Sequence, residues 1–137
     1  MKHGGVHHID LTVTDPVASR PFYEAVLGFM GYVVVDTYEY GFDMDLRVDG
    51  ALVGSIGILK ARGEQASRRH DRYSPGLHHI AWNAASRDDV DAMYALLQRI
   101  GAVVLDAPAD YPRYGAGYYA VFFADPDGLK LEYVFKP

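Results

Sequence analysis

The chain has 137 residues, half of them hydrophobic and 23% charged, with a net charge of −5 and no cysteine. That is a globular composition, long enough for one domain or two very small ones, and its acidic balance gives no electrostatic reason to expect nucleic acid. Disulfides and thiolate chemistry are excluded, no apolar run nears the ~20 residues that span a bilayer, and Met1-Lys2-His3-Gly4-Gly5 lacks a leader's apolar segment, so a cytoplasmic protein without membrane partners is expected.

Residues 6–13 alternate, with Ile9, Leu11 and Val13 on one side and His8, Asp10 and Thr12 on the other, the pattern of a half-buried strand. Asp15-Pro16 then supplies an N-cap followed by proline at the first helical position, predicting a helix to about Leu27 that stops at Gly28. Residues 31–35 predict a second strand. Residues 42–48 and 52–59 predict two more, joined by the Asp49-Gly50 hairpin signal.

The second half repeats this order. His78-His79-Ile80 returns 71 residues after His7-His8-Ile9, and Gly101-Ala102-Val103-Val104 echoes Gly31-Tyr32-Val33-Val34. Ser86 with Asp89 three residues on starts a helix that runs to about Ile100. Strands at 118–124 and 129–135 flank the turn Asp125-Pro126-Asp127-Gly128. The expectation is a single α+β domain, residues 1–137. It comprises two β-α-β-β-β modules, residues 5–61 and 76–136, with helices on the outer face of a curved mixed sheet. Residues 62–75 form a polar linker whose Arg-rich part reads first as a solvated segment and second as an anion-steering edge.

Adjacent strand residues face opposite sides, so only one histidine of each pair can share a face with its strand's polar residues. Ile9, Leu11 and Val13 pack under the first helix and leave His8 and Asp10 opposite. Ile80 and Trp82 leave His79 opposite, and Leu131 and Tyr133 leave Glu132 beside Lys130. His7 and His78 read as ordinary strand residues. Two imidazoles and one carboxylate make a usable ligand set for a divalent ion such as Fe, Mn, Ni, Co or Zn, so His8, His79 and Glu132 are expected as metal ligands.

These residues also carry a resemblance. His8-x-x-Leu11-x-Val13-x-Asp15, Phe22-Tyr23-x-x-x-Leu27-Gly28, His79-Ile80-Ala81 and Asp125-Pro126-Asp127-Gly128-x-x-Leu131-Glu132 together resemble the vicinal-oxygen-chelate superfamily, over nearly the whole chain. Glyoxalase I, extradiol dioxygenases, fosfomycin-resistance enzymes and bleomycin-binding proteins belong to it. The resemblance implies the ligands His8, His79 and Glu132, and a fourth position between Gly54 and Gly57 where this chain has neither carboxylate nor imidazole. It implies a metal-dependent lyase, isomerase or dioxygenase acting on a small substrate with vicinal oxygens, in a homodimer. The alternative is a non-catalytic antibiotic-binding protein. Asp10 and Tyr119 are expected as proton-transfer residues on the ligands' face, and residues 111–118 as a Tyr-rich, substrate-facing lid.

Overall fold

Asp15 caps the first helix as its sequence predicts: in the computed structural model, which describes residues 3–137, its carboxylate accepts from the Val17 N–H at 3.0 Å. The element order is β1 (Ile9–Val13), α1 (Pro16–Phe29), β2 (Val33–Tyr38), β3 (Gly41–Val48) and β4 (Ala51–Lys60), then β5 (His79–Asn83), α2 (Arg87–Arg99), β6 (Val103–Asp110), β7 (Tyr119–Ala124) and β8 (Lys130–Phe135). The chain divides into two units, one ending at Arg68 and the other spanning Arg69–Pro137. Each contains one β-α-β-β-β module.

In the first module the sheet order is β1-β4-β3-β2, with β1 parallel to β4 and the other pairs antiparallel. The second repeats it as β5-β8-β7-β6, with β5 parallel to β8. The result is two four-stranded mixed sheets and two helices, an α+β fold as expected.

The β3–β4 hairpin turns on Asp49 and Gly50, whose φ angles of 50° and 80° are the two left-handed conformations that a type I′ turn requires. One helix end differs from expectation. Gly28 lies within α1, and the chain leaves the helix at Gly31, whose φ is 99°. Its N–H donates to the Gly28 carbonyl while the Tyr32 N–H reaches back to Leu27, closing the helix around a residue that tolerates the left-handed region.

Each helix covers one face of its own sheet. In the first module Leu11, Val13, Tyr23, Val26, Leu27, Phe42 and Ile58 are buried there. In the second, Ile80, Val90, Met93, Leu97, Val121, Phe123, Leu131 and Tyr133 do the same. Burying about 2 kcal/mol of apolar side chain at each such position fixes the strand parity, because a one-residue slip would turn every one of them to the other face. Among the described residues no helix is long and apolar enough to cross a membrane.

Candidate functional site

The second module brings two of the three expected ligands together. β5 lies beside β8 with His79 opposite Lys130 and Ala81 opposite Glu132. His79 Nε2 stands 3.1 Å from Glu132 Oε1. Glu132 is 2% exposed, one of very few polar side chains so buried among the described residues, whereas His79 is partly open. A carboxylate removed from water needs partners for its lone pairs. The second, Oε2, accepts a hydrogen bond from the Tyr118 hydroxyl. Burial first, and that bond second, push the Tyr118 phenol well above its ordinary pKa, so it remains a proton donor to the carboxylate.

The partner of Glu132 is thus Tyr118, and the expected neighbour Tyr119 is a correction. Five residues separate Ala124 from Lys130, and the register across β7 and β8 sets Phe122 opposite Glu132 and Ala120 opposite Val134. Even-numbered residues of β7 therefore share a face with Glu132. Tyr119 lies on the other face, where its hydroxyl donates to Asp91 of α2 at 2.7 Å and the Arg87 guanidinium stacks 3.8 Å from its ring centre.

His78 has a contact that strand alternation alone does not reveal. Its Nδ1 lies 2.7 Å from Nδ1 of His79, on the ring edge remote from Glu132. A proton shared there fixes the tautomer and orientation of the His79 ring. Burial, then the neighbouring His79, Lys130, Arg72 and His70, hold the His78 pKa below its ordinary value. The expected lid contributes aromatic surface to the Glu132 face: Tyr111 and Tyr118 pack on the buried Ala120, Phe122 and Val134. Tyr111 stacks on Tyr114 and meets Phe122 edge-on at 5.3 Å.

In the first module His8 lies beside His7, with 2.9 Å between their Nδ1 atoms. Both line a cavity of about 450 Å³ with Asp10, Tyr38, Asp43 and Ser55. Asp10 is opposite Gly57, as Ala81 is opposite Glu132, and Ala81 follows Asp10 by the 71 residues of the repeat. Gly57 is therefore the counterpart of Glu132. A Cβ on Gly57 would collide with the carboxylate of Asp10 and come within 3.0 Å of Asp43 Oδ1, so two acidic groups from neighbouring strands lie over the position that lacks one. Asp43 Oδ2 accepts from the Tyr38 hydroxyl at 2.7 Å, and that bond is the main reason the Tyr38 pKa is pushed up to about 12.

Among the described residues, no group of three or more His, Asp or Glu side chains is gathered tightly enough to hold a metal ion. The His79–Glu132 pair fits such an ion by its chemistry: an imidazole nitrogen and a buried carboxylate oxygen at 3.1 Å, each held from behind by a further side chain.

Paired β-α-β-β-β modules carrying an imidazole–carboxylate pair on the sheet face away from the helix define a glyoxalase-like protein. The family model for the Glyoxalase/Bleomycin resistance protein/Dioxygenase superfamily matches residues 5–133, and the chain belongs to that superfamily. It is 33% identical to the uncharacterized protein YqjT of Bacillus subtilis over 94% of this chain and 97% of that one. It is 32% identical to the uncharacterized protein YaeR of Escherichia coli over 93% and 92%. Among solved structures, a candidate glyoxalase from Bacillus halodurans aligns with a TM-score of 0.81 at 26% identity, covering 98% of this chain and 97% of that one. A lactoylglutathione lyase from Agrobacterium tumefaciens shares the fold, with a TM-score of 0.66 at 19% identity over 96% and 93%.

Proposed function

We propose that this protein is a divalent-metal-dependent enzyme acting on a small substrate with two adjacent oxygens, with His79 and Glu132, and His8 by the superfamily resemblance, as the ligands. The observation that carries this reading is the 3.1 Å approach of His79 Nε2 to a Glu132 carboxylate that is 2% exposed. Burying a carboxylate in a sheet is costly and contributes little to stability by itself, so a functional reason for its presence is favoured. When bound, the ion would act as a Lewis acid that stabilises negative charge developing on the substrate oxygens.

The chain's own residues supply the rest. Tyr118 holds Oε2 of Glu132 and so orients the other oxygen, while His78 orients the ring of His79 through Nδ1. Tyr111, Tyr114 and Phe122 offer ring faces and edges that bind an apolar part of the substrate and exclude water. Asp10 is the proposed proton acceptor, an exposed carboxylate on the face of the first sheet that carries Gly57. Assembly as a homodimer in the cytoplasm is part of the same reading.

Elemental analysis of protein purified without added metal or chelator tests the proposal. About one equivalent of Fe, Mn, Ni, Co or Zn, lost in Glu132→Gln while the fold is retained, supports it. No metal, and none acquired on reconstitution, overturns it and leaves the small-molecule-binding reading.

A further inference from the structure

The Arg-rich end of the segment between the modules is largely exposed, as expected of a solvated segment, yet it is tied down at His70, whose N–H donates to the Asp127 carbonyl at 3.0 Å. Asp71 accepts from the Tyr73 N–H at 3.0 Å and from the Ser74 hydroxyl at 2.9 Å, a turn that holds the residues around it in place. His70 and Arg72 on either side are partly buried. His70 Nδ1 and Arg72 Nε are both buried polar atoms without a hydrogen-bond partner. An unsatisfied buried N–H of a guanidinium is costly unless something accepts from it.

The surroundings of these atoms are basic and continuous with the candidate site. The Arg72 guanidinium lies 4.9 Å over the Tyr73 ring, and that ring meets His78 edge-on at 5.8 Å. His78 in turn touches His79, the neighbour of Glu132. From β8, Lys130 is the register partner of His79, and its Nζ sits 4.6 Å over Phe122, the residue opposite Glu132. Among the described residues neither Arg72 nor Lys130 is ion-paired to a carboxylate. Arg72 and Lys130 thus bring two cations to the two sides of the His78–His79 pair, and an anion there would be attracted by both.

We propose that His70, Arg72, His78 and Lys130 form an oxyanion subsite beside the His79–Glu132 pair, which takes the carboxylate or phosphate-type group of a small-molecule substrate. The subsite deepens the functional reading above by assigning the substrate's charge. It rests on that reading only for where the reacting oxygens lie. The planar guanidinium of Arg72 suits the geometry of an oxyanion, and the Lys130 ammonium adds a point charge.

The test is titration of the full-length protein with inorganic phosphate and, separately, acetate, followed by the side-chain NMR signals of His70, His78 and Arg72. Saturable shifts with either anion are expected, the tighter one naming the preferred group. Affinity should fall by at least about ten-fold in Arg72→Gln and Lys130→Gln, remain closer to wild type in Arg72→Lys, and be unchanged in Arg87→Gln, whose cation is occupied by Asp110 on the helix side. No saturation by either anion, or equal affinity in Arg72→Gln and wild type, overturns the subsite. The titration is repeated on Glu132→Gln. Retained binding there supports a subsite independent of any metal, whereas binding lost with Glu132 shows the anion resting on a metal and overturns it. A subsite that fails while wild-type protein still carries metal leaves the metal reading standing.

Discussion

Glu132 and Gly57 are counterparts: one lies opposite Ala81 and the other opposite Asp10, 71 residues apart in the repeat. One module carries a buried carboxylate at this position and the other a glycine, over which Asp10 and Asp43 lie. Gly57→Ala should therefore push both carboxylates aside. The Tyr38–Asp43 hydrogen bond would weaken, and the Tyr38 phenol, held at about 12, would titrate closer to its ordinary value of 10.0. Ultraviolet absorbance of phenolate on alkaline titration measures this, and an unchanged Tyr38 transition would refute the crowding.

The same phenol gives a pH dependence with a defined sign. Its pKa is raised in the folded state, so the hydrogen bond to Asp43 contributes stability that is fully present below about pH 10 and lost as pH rises toward 12. In Asp43→Asn the loss of stability across that window should be smaller than in wild type. Denaturant unfolding at a series of alkaline pH values reads the difference, which solvent screening keeps small at this exposed site.

Tyr118 and Tyr119 are adjacent and should behave differently. Tyr118→Phe removes the donor to Glu132 Oε2 and, on the proposed metal reading, should weaken metal retention by about ten-fold or more. Tyr119→Phe removes only the bond to Asp91 and should leave metal content as it is. Competition with a calibrated chelator distinguishes them; equal effects would place the wrong tyrosine at Glu132.

On the same proposed reading His79→Ala should abolish metal binding, and His78→Ala should lower affinity by about ten-fold through a looser His79 ring. Wild-type affinity in His78→Ala would mean that the Nδ1–Nδ1 contact orients nothing.

Asp89 serves two partners at the start of α2. Its Oδ2 accepts from the Ala85 N–H at 2.8 Å and from the buried Tyr133 hydroxyl at 2.6 Å. Asp89→Ala is expected to cost about 2 kcal/mol, the sum of a lost cap and an orphaned phenol, measured as a shift in the denaturation midpoint without loss of fold.

Much of this molecule is written in short stretches of its sequence. Asp15-Pro16 and Ser86 start the helices, Asp49-Gly50 closes a hairpin, and two-residue alternation places Glu132 and His79 on the face away from the helix. Each of these signals acts within one turn or one strand, so the residues concerned carry it by themselves. The repeat, legible as an offset, gives the α+β architecture.

Other features are decided by which strands meet and where. Alternation continued back from β7 says that Tyr118, just before it, and Tyr119, its first residue, face opposite ways, but only the pairing of Phe122 with Glu132 says which one reaches the carboxylate, because a shift of one residue exchanges the two faces. The same holds for Gly57, one of several candidates along β4 until its pairing with Asp10 singles it out. It holds too for Tyr73, which meets both the Arg72 guanidinium and the His78 ring through a turn that only the folded chain assembles. Local chemistry determined the elements and their faces; cross-strand register, a property of pairs of distant segments, decided which side chains meet.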